Sequence, residues 1–182
     1  MLDFSNSKIL IVGDVMLDKY YFGKVDRISP EAPVPIVNIQ KEESRLGGAS
    51  NVANNIVSLG GHSLLCGVIG HDLFGKEIER ISRHKNIDTF LLKTSSPTIT
   101  KARIIGGKQQ IVRVDYEDKS ELNADNKKLF RDTISRILPE YDILVISDYG
   151  KGLISEDLCR YLIKLALSLI HISEPTRHSL IS

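Results

Sequence analysis

The feature that most constrains the fold is an apolar run at residues 8–12, which ends in Gly13 and is followed by two carboxylates, Asp14 and Asp18. A short apolar run of this kind is typical of a parallel strand whose two faces are both covered by helices. Ligands of open α/β sheets collect just beyond the carboxyl ends of such strands. The run therefore predicts an α/β protein that places polar ligand-binding groups directly after this strand.

A second informative segment is the glycine-rich stretch 46–55, which contains Gly47, Gly48 and Asn51 at the expected start of a helix. Glycine lets backbone N–H groups approach a ligand closely, and an asparagine amide both donates and accepts hydrogen bonds. Together with the carboxylates that follow residues 8–12, these groups predict a pocket for a polyhydroxylated ligand. The alternative interpretation is an ordinary strand end and an ordinary helix start.

The remaining apolar pattern alternates between strands and helices. Apolar residues recur at helical spacing in several stretches and form short buried runs in others. Apolar residues within 52–59 and within 130–137 mark two helices, and a third runs from Asp72 to about residue 83. The predicted strands are 64–69 and 142–147, and a further helix follows Ser155. Such β-α alternation predicts a parallel sheet with right-handed crossovers.

Two segments fall outside this alternation and predict additional β-structure. Residues 34–40 carry prolines at their start, which suits an edge strand because proline cannot donate to a sheet ladder. Residues 98–105 and 108–115 flank Gly106-Gly107, a pair that is a strong signal for a two-residue hairpin turn. We therefore expect an edge strand and a hairpin that do not belong to the parallel sheet.

The expected turn also predicts which charges of the hairpin share a face. With Gly106-Gly107 as the turn, one face carries Lys101, Arg103 and Gln110, and the opposite face carries Thr100 and Arg113. A face that carries cations would suit an anionic ligand. The alternative is a set of solvated charges on an exposed surface.

Composition and charge narrow the classes of function. The 182 residues include 24 Lys and Arg against 23 Asp and Glu, so no polyelectrolyte partner such as nucleic acid is implied. The two cysteines lack metal-ligand spacing and are expected to be reduced core thiols, and no histidine has a partner at zinc spacing. The apolar runs are shorter than a membrane span, and residues 1–7 do not resemble a signal peptide. These observations predict a cytoplasmic protein with no metal site and no membrane partner.

Four stretches carry a resemblance to a known family. They are Arg27-Ile-Ser-Pro-Glu-Ala-Pro33, Pro97-Thr-Ile-Thr-Lys-Ala-Arg103, Lys108-Gln-Gln-Ile-Val-Arg-Val-Asp115 and Ile146-Ser-Asp-Tyr-Gly-Lys-Gly152. Through them the chain, from about residue 8 to residue 166, resembles the heptose 7-phosphate kinases, a subfamily of the ribokinase-like carbohydrate kinases. The first stretch is specific to that subfamily and is not a general feature of ribokinase-like proteins.

The resemblance implies both a fold and an activity. The fold is the N-terminal half of a ribokinase-like α/β parallel-sheet sandwich, with a small β-strand lid formed by residues of about 19–40 and 97–115. The activity is transfer of the γ-phosphoryl group of ATP, with Mg²⁺, to the C1 hydroxyl of D-glycero-D-manno-heptose 7-phosphate in ADP-heptose and lipopolysaccharide core synthesis. The implied partners are the sugar phosphate and a second copy of the chain, bound through the lid.

The resemblance also implies roles for individual residues. Asp18 would bind sugar hydroxyls, and the glycine-rich stretch would contact the sugar from the other side. From their positions after the core strands, Asp14 would either contact the ligand or fix the turn and orient Asp18, and Lys151 would either contact phosphate or merely cover a turn. The expected substrate-binding residues are Asp14, Asp18, Gly47, Gly48, Asn51, Lys101, Arg103, Arg113, Asp148 and Lys151. No catalytic base is assigned, because the Gly-Ala-Gly-Asp motif of the family does not occur in the sequence.

The end of the chain carries a different signal. Residues 155–166 have the pattern of an amphipathic helix, but residues 167–177 resemble the translation of an adapter used in sequencing libraries. We therefore expect residues 1–166 to be the N-terminal part of a kinase domain and residues 167–182 to be an artefact, so that the chain itself lacks kinase activity. The alternatives are a genuine C-terminal tail, another sugar kinase of the same superfamily, and a noncatalytic module that binds sugar phosphates.

Overall fold

The computed structural model describes residues 7–118 and 120–169 of the chain. Its elements are β1 (Lys8–Gly13), β2 (Val15–Ile28), β3 (Pro35–Gly48), α1 (Ala49–Ser58), β4 (His62–Gly70), α2 (Leu73–His84), β5 (Asp88–Thr94), β6 (Thr100–Gly106), β7 (Gln109–Tyr116), α3 (Ala124–Ile137), β8 (Ile143–Ser147) and α4 (Glu156–Leu169). A 3₁₀ turn, Leu138–Glu140, follows α3. Within the described residues the strands form two four-stranded sheets.

The first sheet, called the main sheet from here on, is parallel and has the strand order β5-β4-β1-β8. The apolar run of β1 is buried because helices cover both faces, so that Leu10 and Ile11 are each 0 % exposed. α1 and α2 pack on the Ile11 side, whereas α3 and α4 pack on the Leu10 side. The α/β fold predicted from residues 8–12 and from the β-α alternation is therefore confirmed.

The second sheet, called the lid sheet, has the strand order β3-β2-β6-β7. β2 pairs antiparallel with β3 and parallel with β6, and β6 forms a hairpin with β7. β3 lies at an edge, as predicted for residues 34–40, but it continues to Gly48. One face of the lid sheet packs on α2, where the rings of Phe74 and Tyr116 are 5.5 Å apart.

The sequence pattern did not predict β2 or β5 as strands. β2 changes its environment along its length: Val15 and Leu17 are buried in the core, whereas the end of the strand, from Lys24 to Ile28, is exposed. β5 is mostly half-buried or exposed. Neither strand has the uniform burial that produces a continuous apolar run.

The hairpin between β6 and β7 turns one residue later than predicted. Gly106 pairs with Gln109, so the two-residue loop is Gly107-Lys108, and Gly107 has the positive φ, 64°, that suits the first central position of such a turn. Gly106 is required for another reason, since a Cβ there would lie 2.6 Å from Cγ2 of Val25. The predicted turn at Gly106-Gly107 is therefore wrong.

The faces of the hairpin change as well. A register shift between Ile104 and Ile105 inserts one extra residue into β7, and Arg113 then lies opposite Arg103. An extra residue moves the following side chains to the other face of a strand. The prediction that Arg113 would face Thr100, away from the other cations, is therefore wrong: Arg113 shares a face with Arg103.

The helices follow the sequence pattern closely. Asp72 caps α2 as predicted, since its Oδ1 accepts a hydrogen bond from the backbone N–H of Gly75 at 2.8 Å. α4 continues to Leu169, past residue 166 where the kinase segment is expected to end, and residues 170–182 of the expected artefact lie outside the described residues. In the part of the chain that the structure describes, no helix combines the length and apolar character that a membrane crossing needs.

Candidate functional site

Asp14 joins three elements at the carboxyl end of β1. The residue is 1 % exposed, and its Oδ2 accepts hydrogen bonds from the backbone N–H groups of Tyr149 and Lys151 at 2.8 and 3.2 Å. Its carbonyl oxygen accepts a hydrogen bond from the backbone N–H of Ala49, the first residue of α1, at 2.9 Å. These contacts fix the loop after β8 and the start of α1, which favours the turn-fixing interpretation of Asp14.

The buried position of Asp14 has an electrostatic cost. Burial raises the pKa of its carboxyl above the ordinary value, because desolvation penalises the charged form. The hydrogen bonds from Tyr149 and Lys151 lower this pKa, and the neighbouring Asp148 carboxylate raises it further. Oδ1 of Asp14 is buried and has no hydrogen-bond partner among the described residues. The hydrogen bonds to the loop after β8 therefore offset only part of the free energy that the Asp14 carboxylate loses when it is removed from water.

The loop after β8 places the two other residues predicted at this edge. Oδ1 of Asp148 accepts a hydrogen bond from the backbone N–H of Gly150 at 2.8 Å, and the Asp148 side chain is exposed. Lys151 lies between Gly150 and Gly152, which have φ values of 63° and 98°. Nζ of Lys151 is 2.5 Å from Oε2 of Glu117 in a mostly buried ion pair. Lys151 therefore ties this loop to the segment after β7.

Asp18 lies on β2 and is held by a cation from the neighbouring strand. Nη1 of Arg103 donates a hydrogen bond to Oδ1 of Asp18 at 2.6 Å. The two side chains are 23 % and 22 % exposed for Asp18 and Arg103, so the pair remains accessible to a ligand. A Cβ on Gly47 would lie 2.6 Å from Oδ2 of Asp18, so glycine at this position leaves room for the carboxylate. The structure thus brings Asp18, Gly47 and Arg103 together.

Gly48 and Asn51 lie where β3 passes into α1. Gly48 has a φ of 54°, and a Cβ there would lie 2.4 Å from the carbonyl oxygen of Asp14, so glycine is required on both grounds. Oγ of Ser50 donates to the carbonyl oxygen of Gly47 at 2.6 Å and holds this turn in place. Asn51 is exposed in the first turn of α1. These residues connect the Asp14 side of the site to the Asp18 side.

One face of the lid sheet, called the cationic face from here on, carries Asp18 and the three predicted lid cations. Lys101 lies beside Asp18 in the register of β2 and β6, and Arg113 lies opposite Arg103 in the register of β6 and β7. Arg113 is hydrogen-bonded through Nε to Oδ1 of Asp115 at 2.8 Å. The three cations therefore lie on the same face of the lid sheet as Asp18, and Arg103 contacts it directly.

The sequence analysis missed two members of the cationic face, Tyr20 and Arg45. Arg45 lies opposite Asp18 on β3, and Tyr20 is the next residue of β2 on the same face. The Cζ atoms of Arg45 and Arg103 lie 4.8 and 5.2 Å from the centre of the Tyr20 ring. The signal that could have found both is the period-two alternation of a strand, once β2 is recognised as one.

A cleft of about 200 Å³ lies at the carboxyl edge of the main sheet, beside the start of α3. Asp14 and Lys151 line it, whereas Asp18 and the lid cations do not. The structure therefore divides the predicted residues into two groups. Asp14, Asp148 and Lys151 form the group at the main sheet, Asp18, Gly47, Lys101, Arg103 and Arg113 form the group at the lid, and Gly48 and Asn51 lie between them.

The donors for a metal ion are dispersed across this site. Within residues 7–118 and 120–169, no group of three or more His, Cys, Asp and Glu side chains is placed to hold a metal ion. The Asp14 carboxylate faces backbone N–H groups, and the Asp18 carboxylate faces Arg103. These residues alone therefore do not form a site for the Mg²⁺ that the sequence resemblance implies.

The chain belongs to the pfkB family of carbohydrate kinases, whose pattern matches residues 6–174. It is 48 % identical over 161 residues to the bifunctional protein HldE of Helicobacter pylori strain P12, and 46 % identical over 151 residues to the D-beta-D-heptose 7-phosphate kinase of Bordetella bronchiseptica. The first match covers 87 % of this chain and 35 % of the relative, and the second covers 82 % and 48 %. The chain thus spans about a third to a half of the length of these relatives.

Solved structures support the same fold. The chain is similar to a carbohydrate kinase from Agrobacterium tumefaciens, with a TM-score of 0.66 and 17 % identity, and to the ribokinase of Giardia lamblia, with a TM-score of 0.60 and 19 % identity. Each match covers 90 % of this chain and 51 % of the solved chain. At such low identity the likeness concerns the fold alone, and it agrees with a ribokinase-like α/β sandwich.

Proposed function

We propose that these residues form the sugar-binding part of an ATP-dependent kinase that phosphorylates the C1 hydroxyl of D-glycero-D-manno-heptose 7-phosphate, a step of ADP-heptose and lipopolysaccharide core synthesis. The observation that carries the proposal is the cationic face, where a carboxylate suited to hydroxyl groups, Asp18, lies 2.6 Å from a cation suited to phosphate, Arg103. Family membership supports the reaction, and the relative named as a heptose 7-phosphate kinase supports the substrate.

The two groups of site residues take different parts in binding. Asp18 accepts hydrogen bonds from sugar hydroxyls, while Gly47, Gly48 and Asn51 offer backbone and amide groups from the start of α1. Lys101, Arg103 and Arg113 bind the 7-phosphate, because charge-assisted hydrogen bonds to phosphate are stronger than neutral ones. Asp148 and Lys151 border the sugar from the end of β8, and Asp14 positions their loop through its hydrogen bonds to the backbone.

The chemistry is an in-line phosphoryl transfer. The C1 oxygen of the sugar attacks the γ-phosphorus of ATP, the bond from this phosphorus to the bridging oxygen breaks, ADP leaves, and the hydroxyl proton passes to a base. Mg²⁺ bound with ATP would neutralise charge on the phosphates. Neither Asp18 nor Asp148 is assigned as the base, since both serve binding here. No base is assigned in this chain, because the Gly-Ala-Gly-Asp motif that carries the base in the family does not occur in its sequence.

The proposed protein partner is a second copy of the chain, in the cytoplasm, bound through the lid sheet. Apolar side chains of this sheet and its loop are open to solvent: Ile28 is 61 % exposed, Val34 51 % and Val112 45 %. Exposed apolar strands with open edges pair with other strands unless something covers them. Sedimentation equilibrium on a protein with a complete kinase domain is expected to give a dimer. A monomer at high protein concentration would contradict this proposal.

The substrate is tested in a hybrid protein in which residues 8–166 replace the corresponding segment of the Bordetella bronchiseptica relative. ATP consumption is measured with heptose 7-phosphate, fructose 6-phosphate and ribose, and the unaltered relative serves as the control for folding and assay. We expect turnover with heptose 7-phosphate far above the other two sugars, because the cationic face and Asp18 come from this chain. A preference for ribose or fructose 6-phosphate would refute the proposed substrate.

A further inference from the structure

We propose that Arg103 makes the site selective for phosphorylated sugars by exchanging partners: it occupies Asp18 when no ligand is bound, and the phosphate of the substrate draws it away. The inference rests on the proposed function and deepens it. Arg103 then has a role in specificity that is separate from simple attraction of an anion, and Tyr20 and Arg45 form the surface on which the exchange takes place.

The first observation is that the sugar-binding carboxylate is already engaged. Oδ1 of Asp18 accepts a charge-assisted hydrogen bond from Nη1 of Arg103 at 2.6 Å. On the other side, a Cβ on residue 47 would lie 2.6 Å from Oδ2, so Gly47 keeps room beside this oxygen. A sugar hydroxyl that needs Oδ1 must therefore share it with the guanidinium or replace the guanidinium.

The second observation is that Arg103 differs from the other arginines of the cationic face. Arg45 is held by Glu43 at 2.7 Å, and Arg113 is held by Asp115 through two hydrogen bonds of 2.8 and 3.0 Å. Neither Glu43 nor Asp115 is expected to bind sugar. Among the arginines described on this face, Arg103 is therefore the one whose carboxylate partner is also the expected hydroxyl ligand.

The third observation is that Arg103 has a surface along which it can move. Its Cζ lies 5.2 Å from the centre of the Tyr20 ring, and the Cζ of Arg45 lies 4.8 Å from the same centre. A planar guanidinium keeps its stacking on an aromatic ring while its N–H groups change partners. Arg113 lies opposite Arg103 in the sheet register. A phosphate over the Tyr20 ring would thus meet several guanidinium groups at once.

The selectivity follows from what each sugar offers to Arg103. A phosphorylated sugar supplies oxygens that accept two parallel N–H bonds, and these replace the bond that Arg103 gives up at Asp18. An unphosphorylated sugar supplies no such group, so a hydroxyl that replaces the guanidinium at Oδ1 leaves a half-buried Arg103 without its partner. The ion pair therefore disfavours binding of an unphosphorylated sugar. A phosphorylated sugar replaces it at little cost, because its phosphate becomes the new partner of Arg103.

The test compares Arg103→Met with the unmodified hybrid protein on heptose 7-phosphate and on unphosphorylated heptose. For the phosphorylated sugar, kcat/KM should fall about 10- to 100-fold, because a charged hydrogen-bond donor is lost. For the unphosphorylated sugar, kcat/KM should rise about 2- to 5-fold, because a partly exposed ion pair no longer competes for Asp18. Arg103→Lys keeps the charge but not the fork, and should shift both values in the same directions by smaller factors.

The matched control is Lys41→Met. Lys41 lies opposite Phe22 on the face of the lid sheet that carries Asp18, and its side chain is 66 % exposed and paired with Glu43 rather than Asp18. This variant should leave the ratio of kcat/KM for the two sugars nearly unchanged. A similar fall on both sugars in Arg103→Met, or no change on either, would overturn the inference. If Arg103→Met does not fold, as judged by thermal melting, Arg103→Lys decides between the same outcomes.

Failure of the proposed function would be seen separately. In that case the unmodified hybrid would not prefer heptose 7-phosphate, before any change at Arg103. If it preferred another sugar phosphate, the same pair of measurements would be made with that sugar and its unphosphorylated form. If Arg103→Met then lowered the ratio of kcat/KM for the phosphorylated sugar to kcat/KM for the unphosphorylated sugar, this would support the partner exchange. An unchanged ratio would refute it.

Discussion

Asp14 and Asp18 are close in sequence, but they lie in two regions of the molecule where the exposure and the hydrogen-bond partners of a carboxylate differ. In the main sheet, Asp14 is 1 % exposed and accepts hydrogen bonds from backbone N–H groups, which are fixed in place. On the lid sheet, the Asp18 side chain is 23 % exposed and is bonded by a flexible arginine side chain. The first carboxylate connects three elements through fixed backbone groups, whereas the second is held by one side chain, which in the proposed exchange gives way to the ligand.

The cause of this difference is the number of covering layers. β1 has a strand on each side and helices on both faces, whereas β2 leaves the core after Leu17 and continues into solvent between its two lid neighbours. Charges are poorly screened inside a protein and strongly screened at its surface. Rigid positioning in this site therefore belongs to the main sheet, and the proposed exchange of partners belongs to the lid sheet.

The largest difference between the two regions is expected from one apolar truncation made in each. Ile11→Ala, at a residue that is 0 % exposed, should lower the free energy of unfolding by about 2–5 kcal/mol because it leaves a cavity. Ile111→Ala, at a residue that is 38 % exposed on β7, should lower it by about 1 kcal/mol or less. Urea unfolding of the hybrid protein measures both. Equal losses would mean that the lid sheet is packed as closely as the main sheet.

Substitution of Asp18 on the lid sheet should reduce the use of the sugar substrate rather than the stability of the fold. Asp18→Asn should lower kcat/KM for the sugar phosphate about 10- to 100-fold, because it removes a charged acceptor of hydrogen bonds while keeping the shape. The KM for ATP should hardly change. Asp26→Asn, at an exposed residue of the same strand, is the control and should have wild-type kinetics. Steady-state kinetics in which sugar and ATP are affected equally would refute the role assigned to Asp18.

The boundary between the two regions can be tested with two glycines of positive φ. Gly60→Ala, where φ is 89° and a Cβ would meet no atom within 4 Å, should cost about 1–2 kcal/mol of stability through backbone strain alone. Gly48→Ala should cost at least about 1 kcal/mol more, because a Cβ would lie 2.4 Å from the carbonyl oxygen of Asp14. The comparison uses unfolding midpoints in urea. Equal costs would show that contact with Asp14 does not constrain this turn.

The smallest expected effect concerns the pH dependence of stability at Asp14. Burial raises the pKa of this carboxyl above its ordinary value of 3.8, so the folded state holds the proton more tightly than the unfolded chain. The resulting contribution to stability is present below the ordinary pKa and is lost as the pH rises through the higher pKa of the folded state.

Asp14→Asn removes the titrating group, so the loss of stability with rising pH should be smaller in this variant than in the unmodified hybrid protein. Urea midpoints measured at several pH values above the ordinary pKa test the expectation, with Asp26→Asn as the exposed control. Parallel pH curves for the Asp14 variant and the unmodified protein would contradict a raised pKa at Asp14.

Part of the fold follows from the sequence alone. The apolar run before Asp14 predicted an interior strand of the main sheet, because a strand covered on both faces has no need of polar positions. Asp72 predicted the start of α2, since a carboxylate satisfies the free N–H groups of a first helical turn. Prolines predicted the edge position of β3. These signals are local, and each concerns the environment of a single segment.

Only the tertiary structure decided which residues meet at the site. Arg103 reaches Asp18 across 85 positions of the chain, and the N–H of Lys151 reaches Asp14 across 137. The face of Arg113 depends on one extra residue in β7, and Arg45 joins the site because β3 pairs with β2 in one register. The hydrophobic pattern of a strand records how the strand is buried, but a shift of one residue against its neighbour moves every side chain to the other face. Contacts between strands are therefore decided by register, which is a property of the assembled sheet.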